Sequence, residues 1–271
     1  MTIINGTEIA KEILERLKKE PQPKKFLAAV LVGNDPASAS FIRQKERVGE
    51  ELGVDFRLHN FPTEITEVEL KDEILKVSSE ENCGAVLIQL PLPKHIDRQH
   101  ILNCVPKEKD VDVLGEEATQ AFYQEKNAIH PPAVAVVEEI VERLKINLTS
   151  ATVAVIGVGL LVGKPISIFL EKNVSQLSVL HRSSGDVRTQ LRDSNLIVSG
   201  TGRAHLFSAN DLGSGAVVID FGYGDLNGKM AGDFDSTEGE GSEVAYTPTP
   251  GGTGPILVAK LYENFYKLNM L

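Results

Sequence analysis

Short apolar runs rich in β-branched residues alternate along this chain with stretches of helical periodicity, and that alternation leaves few ways to fold. The runs are FLAAVLVG (26–33), AVLIQL (85–90), TVAVIG (152–157), LSVL (177–180), LIVSG (196–200) and AVVID (216–220). Between them, TEIAKEILERLKK aligns Ile9, Ile13, Leu14 and Leu17 in one stripe, and EVELKDEILKV does the same with Leu70, Ile74 and Leu75. Strands that alternate with helices build parallel sheets, so the fold class is α/β.

At 271 residues the chain has room for one large α/β domain or two smaller ones. A joint is expected at YQEKNAIHPPAVAVVEEIVERLKINLTSA, where Pro131 and Pro132 stiffen the approach to a linking helix that ends near Ile146. The polar, Gly-rich segment 225–245 reads as a loop or hairpin, and GPILVAKLYENFYKL closes the chain as an amphipathic helix. No apolar run approaches the roughly 18 residues needed to cross a bilayer. The N-terminus lacks a basic start, an apolar block and a small-residue cleavage site, so residence in the cytoplasm and no membrane partner are expected.

With 28 basic and 38 acidic residues the net charge is −10, which repels a phosphate backbone; no nucleic-acid partner is expected. A small anionic ligand is compatible with that balance, because lysines, arginines and helix N-termini act at short range. Cys83 and Cys104 have neither metal-ligand nor redox spacing and are expected as two buried thiols, with no metal site.

Four segments carry chemistry. In VAVIGVGLLVGKPISIFL (153–170) a strand, a glycine-rich turn and a helix follow one another, an arrangement that lets backbone N–H groups approach a pyrophosphate at a helix N-terminus. Gly157, Gly159 and Gly163 space it G-x-G-x-x-x-G, because Val162 takes the place of the third glycine in the usual fingerprint. Beyond the next strand, where an NAD site offers a carboxylate to the ribose, VLHRSSGD presents Arg182 with Ser183 and Ser184. A guanidinium there suits the 2′-phosphate of NADP, whereas Asp186 nearby competes and keeps NAD open. In LIQLPLPKHID, Gln89 ends a strand and needs partners from backbone or ligand; in KDVDVLG, Asp110 and Asp112 fit a helix cap or a solvated loop. YTPTPGGTGPILVAKL concentrates Gly251, Gly252 and Gly254 before a helix, a loop that backbone or ligand can approach closely.

Taken in order, NDPASASFIRQKERVGEELGV, LIQLPLP, KDVD and TPTPGGTGP resemble the bifunctional methylenetetrahydrofolate dehydrogenase/cyclohydrolase family over nearly the full length. The resemblance implies an N-terminal α/β substrate domain (1–130, completed by the C-terminal helix 253–271), a Rossmann-like NADP-binding domain (131–252), a cleft holding folate and NADP, and a homodimer. It assigns Lys45 as the catalytic general acid/base, Gln89 as its partner and Asp112 as the group that orients the pterin. One carboxylate can accept two hydrogen bonds from the pterin's amino group and ring N–H. Phe41, Ile88, Leu90, Pro250, Gly251, Gly252, Thr253 and Gly254 complete the implied tetrahydrofolate site. Gly157, Val158, Gly159, Arg182 and Tyr223 form the implied cofactor site.

Departures from the family pattern are also visible. Its tyrosine falls on Phe41, which keeps a ring able to stack and loses a hydroxyl. Val113 stands for a glycine, PPAVAV for a Pro-Cys-Thr-Pro-Arg-Gly run, and Gly159 for a serine. Two alternatives follow: a dehydrogenase without efficient cyclohydrolase, and a catalytically weakened folate or nucleotide binding protein.

Overall fold

The structure is a computed structural model and describes residues 1–270. From the N-terminus run β1 (Thr2–Ile3), α1 (Gly6–Leu17), β2 (Phe26–Val32), α2 (Pro36–Leu52), β3 (Phe56–Phe61), α3 (Glu67–Ser79), β4 (Cys83–Ile88), α4 (Arg98–Leu102) and α5 (Glu116–Tyr123). Then come α6 (Pro132–Arg143), β5 (Thr152–Ile156), α7 (Gly163–Glu171), β6 (Gln176–Leu180), β7 (Leu196–Ser199), β8 (Phe207–Ser208) and β9 (Val217–Asp220). The chain ends with β10 (Gly224–Leu226), β11 (Lys229–Ala231), β12 (Phe234–Asp235), β13 (Ala245–Tyr246) and α8 (Thr253–Asn269). Among the described residues no helix is long and apolar enough to cross a membrane.

Two compact units result. One comprises Glu12–Pro132 with residues 258–270, and its sheet is parallel in the order β3-β2-β4. Every residue of β2 and β4 is buried, as expected of strands covered on both faces. β3, FRLHNF, is an edge strand that leaves Arg57, Leu58 and Asn60 exposed, and its polar residues hide it from a search for apolar runs. α2 begins where the Asp35 carboxylate accepts a hydrogen bond from the Ser38 N–H at 2.8 Å, and ends at Gly53 with φ of 68°. α3 opens with a capping box between Thr66 and Glu69.

The other unit comprises Met1–Lys11 and Ala133–Leu257. Its six strands are parallel in the order β1-β13-β9-β7-β5-β6. The chain leaves β5 toward β6 on one side and returns to β7 on the other, so the strand order reverses at β5. Open α/β sheets bind ligands outside the carboxyl ends of strands at such a reversal.

The units differ from the expected division (1–130 with 253–271, and 131–252) in three places: residues 1–11 and 253–257 belong with the six-stranded sheet, and residues 131–132 with the other unit. The Thr2 N–H donates to Val244 O at 2.8 Å and the Ile4 N–H to Tyr246 O at 2.7 Å, which adds β1 to the sheet edge. Segment 224–231 forms a hairpin whose turn residues Asn227 and Gly228 have φ of 55° and 80°, the left-handed pair that a tight hairpin favours. α6 stops at Arg143, a few residues before the expected end, and the left-handed Lys145 turns the chain away. α8 is less amphipathic than its sequence pattern suggests. Lys260 and Asn264 are buried with its apolar residues, and Asn264 donates to Val111 O at 3.0 Å and His130 O at 2.8 Å. Cys83 is buried as expected; Cys104 is half-buried instead, its Sγ turned to His100 O at the end of the short α4.

Candidate functional site

In the unit that holds β2, Lys45 sits on the packed stripe of α2 between Ile42 and Gly49, which are buried three residues before it and four after. Its Nζ donates to Gln89 Oε1 at 3.0 Å. The other end of that amide donates from Nε2 to Leu90 O at 2.8 Å, which fixes the carbonyl toward the lysine. Burial pushes the Lys45 ammonium below the ordinary lysine value, and the nearby Asp112 carboxylate opposes that shift. Asp112 is pushed up by burial and held down by Lys45. The two groups therefore lie near each other in a setting whose burial disfavours the charged form of each.

Phe41 is half-exposed one helical turn before Lys45, on the same face. Ile88 is buried at the end of β4 and Leu90 half-buried beyond Gln89, with the Leu90–Pro91 peptide cis. The two aspartates of KDVD separate in role. Asp110, 4% exposed, accepts from the Leu114 and Gly115 N–H groups at 2.9 and 2.7 Å and braces the turn that presents Asp112. Within that turn Val113 is buried with φ of 58°, a backbone conformation unusual for a branched residue.

Burial raises the Asp110 carboxyl to about 7, and Asp112 adds to the effect. A folded-state value above the unfolded one stabilises fully at acid pH and is lost as the pH climbs through about 7. Asp110→Asn should therefore flatten the fall in stability between about pH 4 and pH 7, by at most about 1.4 kcal/mol per pH unit. Urea unfolding midpoints across that range check it; parallel curves for the two proteins would refute the assignment.

In the unit of the six-stranded sheet, the turn after β5 opens onto a cleft of about 1040 Å³. Gly157, Val158, Gly159 and Arg182 line it, as do His181 and Ser183. Gly157 has φ of 97°. A Cβ on Gly159 would meet nothing within 4 Å, so space at that turn is left for a ligand. A Cβ on Gly163 would lie 1.9 Å from Gly157 O, so this glycine lets helix and turn touch. No side chain caps the N-terminus of α7. These are the features that a dinucleotide's phosphates need.

Asp186 also lines the cleft, and its carboxylate accepts from the Arg188 N–H at 3.1 Å. Arg188 and Arg203 line the cleft beside Arg182; no motif spacing distinguishes them in the sequence. Tyr223 lies outside the lining, 49% exposed, with its backbone O close to Gly202. Asp233, wholly buried, accepts from Ser199 Oγ at 2.6 Å, Thr201 N–H at 2.7 Å and Arg203 N–H at 2.8 Å. It thereby fixes the segment after β7 that forms one wall of the cleft.

Residues 250–254 belong to this same unit. Thr249–Pro250 is cis and Gly251 has φ of 93°. Backbone approach explains part of the glycine density: a Cβ on Gly6 would stand 1.7 Å from Gly252 O, and one on Gly252 would stand 2.4 Å from Pro248 O. Thr253 Oγ1 donates to Asp220 O at 2.8 Å as α8 begins. Gly254 faces open space.

The catalytic-domain model of the tetrahydrofolate dehydrogenase/cyclohydrolase family matches residues 4–112, and its NAD(P)-binding-domain model matches residues 131–270. The bifunctional protein FolD of Bacillus licheniformis is 33% identical, covering 98% of this chain and 96% of that protein. The solved FolD of Campylobacter jejuni, a methylenetetrahydrofolate dehydrogenase/cyclohydrolase, superposes with a TM-score of 0.94 at 29% identity, over 100% of this chain and 99% of that one. The corresponding enzyme of Trypanosoma brucei, in complex with NADP cofactor and an inhibitor, gives 0.92 at 26% identity, over 99% and 97%. With both of the family's domains matched in order and a relative at one-third identity along almost every residue, this chain belongs to the tetrahydrofolate dehydrogenase/cyclohydrolase family.

Proposed function

We infer that this protein oxidises 5,10-methylenetetrahydrofolate to 5,10-methenyltetrahydrofolate with NADP and hydrolyses the product to 10-formyltetrahydrofolate. Family membership supports both activities, and the NADP complex of the Trypanosoma brucei relative supports the cofactor. The observation that carries the reading is the Lys45 to Gln89 hydrogen bond of 3.0 Å on a lysine pushed toward its neutral form.

NADP, when bound, accepts the hydride of the methylene carbon. The chain's own groups do the remainder. Asp112 accepts the paired N–H donors of the pterin edge, and the Phe41 ring stacks on the pterin face. Hydride loss leaves a methenyl cation; water adds to its bridging carbon and releases a proton, which neutral Lys45 takes or relays while Gln89 holds the amine in place. The bond from that carbon to N5 then breaks, N5 taking up a proton, to leave the formyl group on N10. The positive charge of the cation further disfavours a charged lysine. Ile88 and Leu90 supply further folate contacts. Gly157, Val158 and Gly159 receive the dinucleotide phosphates, Arg182 the 2′-phosphate, and Tyr223 adjoins the cofactor.

Folate binding is thus assigned to the unit holding Lys45 and dinucleotide binding to the unit holding the cleft. A cytoplasmic homodimer belongs to the same reading, and light scattering checks the dimer. The deciding experiment is a spectrophotometric dehydrogenase assay run in parallel with NADP and NAD, with methenyl decay followed separately. Activity at least tenfold higher with NADP, and decay above the uncatalysed rate, are expected. Reduction of NAD alone would overturn the cofactor assignment, and decay at the uncatalysed rate the hydrolase.

A further inference from the structure

The turn of α2 beneath Lys45 is held from outside the helix. Tyr262, wholly buried on α8, donates its hydroxyl hydrogen to the backbone O of Lys45 across 2.6 Å. α2 runs unbroken through that residue, so the phenol adds a second hold on a carbonyl that already faces the amide four residues on. A partner fixed to the backbone at the root of a long side chain bears on how that side chain leaves the helix.

Gly49 makes the arrangement possible. A Cβ there would lie 2.6 Å from the Tyr262 hydroxyl oxygen and 3.2 Å from Phe56 Cβ. Glycine inside a helix is destabilising relative to alanine, and α2 carries one a turn after the lysine. Burial raises the Tyr262 phenol, with Glu46 adding to the effect, so the hydroxyl remains a donor throughout the range in which Lys45 titrates. Of all the carbonyls on α2, the one this phenol holds belongs to the residue whose amine meets Gln89.

We propose that Tyr262 is a positioning residue for Lys45: its hydroxyl, bonded to Lys45 O and admitted by the bare Gly49, holds the lysine's backbone where Nζ meets Gln89. The inference rests on the assignment of Lys45 as the proton-transfer group. It adds that α8 sets that group's geometry through one phenol oxygen. A displacement of about 1 Å in a reacting group can cost about a hundredfold in rate, and a long side chain magnifies a small rotation at its root.

The test is Tyr262→Phe, which keeps the ring and removes the oxygen. Methenyl hydrolysis should fall about tenfold or more in kcat with KM within about threefold. The inflection of its pH profile, which follows the lysine, should move by about half a unit or more. Gly49→Ala, which presses a methyl against the hydroxyl, should produce the same two changes and stands in if Tyr262→Phe does not fold. Combining the two should cost little beyond Gly49→Ala alone, because the oxygen that the methyl strikes is gone and the 3.2 Å approach to Phe56 Cβ is common to both. Folded variants with unchanged kcat and an unmoved inflection, beside an inactive Lys45→Met, would overturn the positioning role alone. Retained hydrolysis in Lys45→Met would instead overturn the lysine assignment.

Discussion

Lys45→Met should lower the hydrolysis of methenyltetrahydrofolate by a factor of about 10² to 10⁴, the range that a positioned general acid or base contributes, while folate binding changes by only a few fold. Methionine keeps an unbranched apolar stem and deletes the amine that meets Gln89. Asp112 and Phe41, the proposed pterin contacts, are left in place. In the unmutated protein the rate should climb with pH as the amine loses its proton, with an inflection below the ordinary lysine value because burial disfavours the charged form. Stopped-flow decay of the methenyl absorbance across pH, paired with isothermal titration of the folate, separates the two effects. Undiminished decay in the variant would remove Lys45 from the reaction.

Asp233→Ala should destabilise the protein by about 4 kcal/mol and weaken NADP binding at least tenfold. The carboxylate is wholly buried and takes hydrogen bonds from Ser199 Oγ, Thr201 N–H and Arg203 N–H. Truncation leaves those donors without their acceptor, and each buried orphan costs about 1–3 kcal/mol. The same bonds shape the wall of the cleft at Gly200, Thr201 and Arg203, so ligand affinity should fall with stability. Urea midpoints and NADP titration below the unfolding transition measure both. A loss under about 1 kcal/mol with unchanged affinity would show that the wall holds itself without the carboxylate.

Much of the fold is legible in the sequence because parallel strands covered on both faces read as unbroken apolar runs, as β2, β4, β5, β7 and β9 do. The exposed edge strand β3 carries Arg57, His59 and Asn60 and lacks that signal. β1 and β13 are two residues each, too short for any periodicity; they exist because each finds a neighbour in the sheet. The candidate site was legible only in part. Composition and spacing alone leave Lys45 as one more cation on a helix, and the family resemblance is what singles it out together with Gln89 and Asp112. Arg188 and Arg203 reach the same cleft as Arg182 from separate loops, and only folding brings them there. The pairing of Gly49 with Tyr262 joins residues far apart along the chain, and neither stands out on its own.

The contact between Gly163 and the carbonyl of Gly157 bears on how such turns are recognised. A fingerprint counts residues, but what the architecture demands is that two stretches of main chain touch with nothing between them. Here the loop is one residue longer than the common pattern, and the bare position has moved along with the point of contact. Diverging chains are therefore free to lengthen or shorten this loop, provided that a residue without a side chain still arrives at the meeting point.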